Sequence, residues 1–172
     1  VVDLTPDGRQ VWVTSEEDAT VTFIDTANNK VIKTIKVGER PRNTAFSADG
    51  GKAFISGEFD RSVRIVDTTS LDVVNTVKLA DETLRPMDVK LTNDGKRLFV
   101  STGRGQKILV LDASTLATIG EIPAGARPWR EDVRSTAGGH GRLPERAGRT
   151  GNSRDRLATA AGRPDCAGPH RK

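Results

Sequence analysis

Three arginines occupy matching places in the sequence, each directly before a proline. They are Arg40, Arg85 and Arg127. A guanidinium group is planar and always charged, and it pairs with an oxyanion through two parallel hydrogen bonds. If the fold brings the three side chains together, they form a site for a small anion or for a protein partner that carries a carboxylate. The alternative is that the proline fixes a turn and the arginine beside it is a solvated surface residue.

A second set of charged residues offers carboxylates. Acidic side chains cluster at 16–18, 58–60 and 81–82. Their oxygens can ligate a hard cation or form salt bridges with the arginines. No Asp or Asn spacing matches a calcium-binding loop of the EF-hand type, and solvated charge is the simpler interpretation. The sequence therefore predicts neither a metal site nor a cofactor.

Three aspartates each close an apolar segment: Asp25, Asp67 and Asp112. Acid–base catalysis needs a carboxylate placed at a substrate. These three are equivalent by sequence repeat, which favours a structural role, because an Asp side chain accepts hydrogen bonds from the backbone that follows it in a turn. We therefore predict that they make turns, and we assign no catalytic residue.

An internal repeat supplies the elements that position these residues. Asp-Gly occurs at 7–8, 49–50 and 94–95, and each time the closing aspartate follows 18 residues after the first. Whole copies follow at intervals of 42 and 45 residues, and each reads as four short strands, the first at 2–4, 43–47 and 87–91. β-branched and aromatic residues fill the apolar positions without a helical stripe. This period is typical of β-propeller blades.

The predicted fold is all-β: a partial β-propeller of three four-stranded antiparallel blades within residues 1–129, at about 1–38, 39–83 and 84–125. In that topology the blade connections, which carry the arginines, share one face with the turns between second and third strands. Trp12, Phe54 and Phe99 hold one strand position and are expected to pack between blades. Three blades do not close a ring. We expect open apolar sides around Phe54 and Phe99 that allow self-association.

The repeat stops after Trp129. Arg, Gly, Ala and Pro dominate residues 130–172, and the next expected Asp-Gly is Thr136-Ala137. Such a composition predicts a disordered basic tail. A shifted reading frame is one origin of the tail, and a natural segment that binds nucleic acid or an anionic surface is the other. The chain begins with Val1 rather than Met, so we expect any signal peptide to be absent from it.

Charge and composition exclude several function classes. Residues 1–129 carry 17 Lys and Arg against 18 Asp and Glu, whereas the tail carries 10 against 5, so the formal charge of +4 belongs to the tail. A near-neutral body gives little electrostatic footprint for nucleic acid. No stretch of 18 apolar residues predicts a membrane helix. Cys166, His140 and His170 all lie in the tail, so the repeats hold neither thiol nor imidazole.

The repeat resembles that of the YVTN-family β-propellers over about residues 1–129. The segments that carry the resemblance are Leu4–Gly8, Val11–Ser15, Thr20–Val31 and Val37–Pro41. The variant at Ile122–Trp129 is similar to that of bacterial propellers associated with PQQ-dependent quinoprotein oxidation. The resemblance implies a propeller of seven or a similar number of blades, exported to the periplasm or cell surface. It implies no catalytic residue.

Two functions follow as hypotheses. The first is a non-enzymatic binding or scaffold module that presents one face to a protein or a small anionic ligand. The second is a piece of a propeller enzyme, lactonase-like or d1-haem-like, whose catalytic residues lie in blades that this chain lacks. An enzyme of either kind normally uses histidine as a base or an axial ligand, and residues 1–129 contain none.

Overall fold

The computed structural model describes residues 1–128, which form twelve β-strands and one 3₁₀ turn, at Gly103–Gly105. Strands β1 to β4 span Val2–Leu4, Gln10–Ser15, Thr20–Asp25 and Lys30–Lys36. Strands β5 to β8 span Pro41–Phe46, Lys52–Gly57, Ser62–Asp67 and Asp72–Lys78. Strands β9 to β12 span Asp88–Leu91, Arg97–Ser101, Lys107–Asp112 and Thr118–Pro123.

Each group of four strands forms its own antiparallel sheet, with neighbours in chain order. The prediction of three four-stranded antiparallel sheets, and so of a partial β-propeller, is confirmed. The sheets lie inside the residue ranges given above for the three blades; the boundaries themselves stay predictions. The predicted disordered tail and shifted reading frame concern residues that lie outside the described ones. In the described part of the chain, no helix is long and apolar enough to cross a bilayer.

The Asp-Gly turns follow directly from residue type. In the first copy the hydroxyl of Thr5 donates to Asp7 Oδ1 over 2.7 Å, and the backbone N–H of Gly8 donates to the carbonyl of Thr5 over 2.8 Å. Gly8 has φ of 71°, a left-handed conformation that glycine adopts without steric cost. Ser47 and Thr92 repeat the hydroxyl-to-carboxylate bond in the other two copies.

The other hairpin turns hold a left-handed residue that is not glycine. These residues have φ between 54° and 60°. Between second and third strands they are Ala19, Arg61 and Gln106; between third and fourth strands they are Asn29, Leu71 and Leu116. A single left-handed residue after a turn is the usual way to close a hairpin with a bulge. The three copies therefore share backbone conformation at points where their side chains differ.

The apolar core lies between consecutive sheets. Trp12 and Phe23 of the first sheet form one buried cluster with Ile55 of the second, and the two aromatic rings meet edge to face with centroids 4.5 Å apart. Phe54, on the opposite face of the second sheet, joins a cluster with Leu98 of the third. The prediction of packing between blades is thus confirmed for Trp12 and Phe54.

One expectation about exposure is wrong. Phe54 was expected near an open side, but only 2% of it is exposed, because the third sheet covers it. Phe99, one sheet further on, is half-buried.

One strand boundary differs from the predicted one. Strand β5 begins at Pro41 rather than Asn43, and its pairing with β6 is irregular between Pro41 and Thr44. Proline is tolerated at the first position of a strand, where no ladder hydrogen bond needs its missing N–H.

Candidate functional site

Strand order brings the blade connections and one set of turns to the same end of the sheets. In a four-stranded meander the turn between second and third strands lies at the end where the chain enters and leaves the sheet. The connections are residues 37–40, 79–87 and 124–128, and the turns are residues 16–19, 58–61 and 102–106. Each predicted arginine lies on one of these connections.

A cavity of about 190 Å³ opens at this end. Five of the residues that line it are arginines, namely Arg40, Arg42, Arg85, Arg104 and Arg127. Glu58, Met87 and Gly103 complete the lining. We call this the arginine cavity. The structure therefore brings the three arginines predicted from the repeat to one place, although whether they bind an anion stays a prediction.

Two of the predicted arginines hold an unusual backbone conformation. Arg40 and Arg127 both have φ of 56°, and each precedes a proline. Left-handed φ in a non-glycine residue costs about 1–3 kcal/mol and persists only where the surroundings enforce it. The surroundings of Arg40 include two backbone hydrogen bonds, from Glu58 N–H to the Arg40 carbonyl and from Phe59 N–H to the Glu39 carbonyl, at 3.0 and 3.2 Å.

An ion-pair network neutralises one side of the arginine cavity. Arg40 Nε donates to Glu16 over 2.9 Å and lies 3.4 Å from Glu58. Arg42 donates from Nε to Glu58 over 2.6 Å and from Nη1 to Glu16 over 2.8 Å. The hydrogen bond from Arg40 lowers the pKa of Glu16 below its usual value of 4.5. Two guanidinium groups thus face two carboxylates. The salt-bridging alternative predicted for the acidic segments is what the structure shows at Glu16 and Glu58.

On the other side of the arginine cavity, residues 1–128 supply no balancing carboxylate. Arg85 donates from Nη1 to the backbone carbonyls of Glu82 and Leu84, at 3.1 and 3.3 Å. Among residues 1–128, Arg85, Arg104 and Arg127 have no carboxylate oxygen within 4.0 Å. Three positive charges therefore share this part of the cavity, which is the arrangement that attracts an oxyanion.

Met87 and Gly103 are the uncharged residues of the cavity lining. Met87 is 7% exposed. Gly103 has φ of 53°, and a Cβ atom at this position would lie 3.0 Å from Met87 Cγ and 3.3 Å from the carbonyl oxygen of Arg85. Glycine is needed there for both conformation and space. The tight fit fixes the Gly103–Gly105 turn, and Arg104 within it, against the connection that carries Arg85.

The turn aspartates lie at the opposite end of the sheets. Asp112 Oδ1 accepts hydrogen bonds from the hydroxyls and backbone N–H groups of Ser114 and Thr115, at 2.6–3.0 Å. These bonds favour the ionised form and lower the pKa of Asp112 from 3.8 to about 2. Asp25 and Asp67 accept equivalent backbone hydrogen bonds. All three make turns, as predicted.

Sequence reasoning missed two features of the site. Arg42 and Met87 hold the same place in successive copies, directly after the proline, and a search for repeated residue types passes over a position that varies. The pairing of Glu58 with Arg42 also has no signature in the sequence.

The described residues offer no cluster of metal ligands. Within residues 1–128, no three His, Cys, Asp or Glu side chains are placed to hold a metal ion.

A comparison with known families completes the description. The family model described as "Lactonase, 7-bladed beta-propeller" matches residues 1–133 of the 172. The chain belongs to this lactonase propeller family. The three sheets of residues 1–128 thus correspond to consecutive blades of a lactonase-family propeller. A comparison with curated proteins found no match.

Two solved structures resemble this lactonase-family chain. One is hydrazine synthase of Kuenenia stuttgartiensis, at 23% identity and a TM-score of 0.67, over 74% of this chain and 36% of the other. The second is the dihydro-heme d1 dehydrogenase NirN in complex with DHE, at 23% identity and a TM-score of 0.59, over 69% of this chain and 26% of the other. At this identity the likeness shows the propeller fold alone. The chain spans about a third or less of the length of these relatives.

Proposed function

We propose that the arginine cavity binds a small oxyanion, and that the described blades of this lactonase-family chain act as an anion-binding module. The observation that carries the proposal is the charge of the lining, which has five arginines and one glutamate. Arg85, Arg104 and Arg127 have no carboxylate partner among residues 1–128, so an anion can pair with their guanidinium groups without displacing a protein carboxylate.

Calorimetric titration of the 172-residue chain with sodium sulfate at low ionic strength tests the proposal. We expect saturable binding that weakens as sodium chloride is added, because exposed charges are screened by salt. Arg127→Gln should weaken binding clearly. Arg61→Gln is the matched control, since Arg61 lies at the same end, outside the cavity, with Glu82 3.6 Å away. The absence of saturable binding by both sulfate and small carboxylates would refute the proposal.

Lactone hydrolysis is the second candidate, because the lactonase family model covers most of the chain. The cavity carboxylate Glu58 is tied to Arg42, which leaves it poorly suited to act as a base at a substrate. We therefore rank hydrolysis second. Turnover of γ- and δ-lactones by the 172-residue chain, followed by proton release, would reverse this ranking. A haem absorption band after incubation of the chain with haem would place the d1-haem alternative above anion binding.

The YVTN-like repeat supports a wider proposal for the intact parent protein. We infer that it is exported to the periplasm and works beside PQQ-dependent oxidation systems, where the arginine face meets a protein partner or a small anion. Fractionation of cells that carry the tagged parent gene tests the location; recovery in the cytoplasm would contradict it. Self-association through apolar blade surface is a further proposal, and sedimentation of the chain as a monomer at high concentration would contradict it.

A further inference from the structure

We propose that the ligand of the arginine cavity is a small dicarboxylate. This inference rests on the proposed anion-binding function and adds the chemical class of the ligand. On one side of the arginine cavity the charges are paired, on the other residues 1–128 supply no carboxylate, and Met87 adds an apolar side chain to the lining. Charge favours a doubly charged ligand over a monocarboxylate, and donor placement and the apolar lining favour two linked carboxylates over a compact dianion.

The charge argument uses the difference between the two sides. Arg40 and Arg42 are balanced by Glu16 and Glu58, at distances of 2.5–3.4 Å. Within residues 1–128, the guanidinium groups without a carboxylate partner are those of Arg85, Arg104 and Arg127. A monocarboxylate would balance one of these three charges, whereas a dicarboxylate balances two. Arg104 and Arg127 are exposed and Arg85 is partly buried, so the advantage of the doubly charged ligand is a second charge-assisted pair.

The donors come from separate elements. Arg85 lies on the connection before β9, Arg127 follows β12, and Arg104 lies in the turn before β11. A guanidinium group binds one carboxylate through two parallel hydrogen bonds. Arg85 and Arg127 hold equivalent positions in successive copies and both line the cavity, and the inference assigns one carboxylate of the same molecule to each. Arg104, on the third element, adds charge to the same part of the cavity.

The apolar lining and the volume of the cavity limit the carbon chain that can link the two carboxylates. Met87 is 7% exposed and lies with Gly103 in the cavity lining, so a ligand there can meet an apolar side chain as well as guanidinium groups. Methylene groups suit that contact, whereas a compact ion such as sulfate would lay a polar oxygen on it. A cavity of 190 Å³ has the volume of roughly six liquid waters, at about 30 Å³ each. Covalently bonded atoms pack more closely than waters, so a dicarboxylate of three to five carbons in all, carboxyl carbons included, fits this space.

Calorimetric titration with a ligand series tests the inference on the 172-residue chain. The probes are malonate, succinate, glutarate and pimelate, with butyrate as the singly charged match for succinate and sulfate as the compact dianion. We expect succinate to bind at least about 10-fold more tightly than butyrate, because a second charge-assisted pair forms. We also expect the affinity to fall again at pimelate, which is too long for the cavity.

Variants locate the two carboxylates. Arg85→Gln and Arg127→Gln should each weaken succinate binding about 10-fold or more and bring it close to that of butyrate. Arg85→Lys keeps the charge but loses the planar fork, so it should recover only part of the affinity. Arg61→Gln, outside the cavity, should leave it unchanged. Circular dichroism checks that each variant is folded, and the ligand series on the unsubstituted chain decides the question even if a variant does not fold.

The outcomes separate this inference from the proposed function. Equal affinity for succinate and butyrate would overturn the dicarboxylate but keep the anion site. Tighter binding of sulfate than of succinate would also overturn it and would identify a compact dianion as the ligand. If neither sulfate nor any carboxylate binds, the anion-binding function itself is wrong.

Discussion

Arg42 donates a hydrogen bond from Nε to Glu58 Oε2 over 2.6 Å, and its Nη2 forms an ion pair with the same oxygen at 2.5 Å. Both side chains are well shielded, at 17% and 14% exposed. The pair joins the first strand of the second sheet to the turn between its second and third strands. It thereby holds the neutralised side of the arginine cavity in place, and it keeps Arg42 from competing for a ligand.

Loss of the Glu58 carboxylate should affect both stability and binding. We expect Glu58→Gln to lower the free energy of unfolding by about 1–3 kcal/mol, because Arg42 stays shielded with one partner fewer. The same change removes a negative charge from the cavity, so it should strengthen anion binding. Urea denaturation and calorimetry measure the two effects. Glu82→Gln is the control, since Glu82 is 87% exposed; weaker anion binding in Glu58→Gln would count against the assignment of the cavity.

The connection at Gly38 should be intolerant of a side chain. Gly38 has φ of 94°, and a Cβ atom there would collide with the ion pair of Arg64 and Asp60. We expect Gly38→Ala to cost at least about 2 kcal/mol of unfolding free energy, from backbone strain and overpacking. Gly125→Ala is the control, because nothing lies within 4 Å of its Cβ position. If both variants unfold at the same urea concentration, the close packing at Gly38 is not as described.

The acid sensitivity of the fold should depend in part on Asp112. The pKa of Asp112 is lowered from 3.8 to about 2 by the hydrogen bonds of its turn. A lowered folded-state pKa gives stability that is present above the ordinary value and is lost as the pH falls towards 2. Asp112→Asn removes this titration, so its free energy of unfolding should vary less between pH 4 and pH 2.

The control for Asp112 is Glu17→Gln, because the Glu17 carboxylate makes no hydrogen bond or ion pair within residues 1–128. Urea denaturation at a series of pH values measures both variants. An unchanged pH dependence in Asp112→Asn would show that the turn is equally stable with a protonated carboxyl group.

Trp12 should be the largest single contributor to contact between the first two sheets. It is fully buried, and its ring meets Phe23 and Phe46 edge to face at 4.5 and 5.0 Å. We expect Trp12→Ala to lower the free energy of unfolding by about 3–5 kcal/mol. Val2→Ala, at a residue 66% exposed, should change it little. A loss below 1 kcal/mol in Trp12→Ala would mean that the two sheets are held together by other contacts.

The sequence was informative wherever the copies agree. The spacing from Asp7 to Asp25 recurs in all copies and predicted the strands and their turns, because turn chemistry is local. The placement of Arg40, Arg85 and Arg127 in one cavity also followed from equivalence under the repeat. These predictions needed only the chain order of strands in a propeller blade.

What the sequence could not predict lies where the copies differ. The site has a neutralised side and, within residues 1–128, one without a balancing carboxylate, because Glu16 and Glu58 bond Arg40 and Arg42 across 16 to 26 residues of chain. Such a pairing depends on side-chain geometry at the end of the sheets, and local patterns do not encode it. The burial of Phe54 was mispredicted for a related reason, because which face of a sheet meets its neighbour depends on the stacking of whole sheets.

The left-handed residues in the turns between second and third strands determine how the face that carries the arginine cavity can change in sequence. Ala19, Arg61 and Gln106 are chemically unrelated, yet they hold nearly the same φ, from 54° to 57°. A duplicated blade therefore keeps the backbone conformation of this turn, while the side chain at the turn is free to vary. The binding specificity of this face can change by substitution in one turn at a time, during evolution or by design, without a change in the strands.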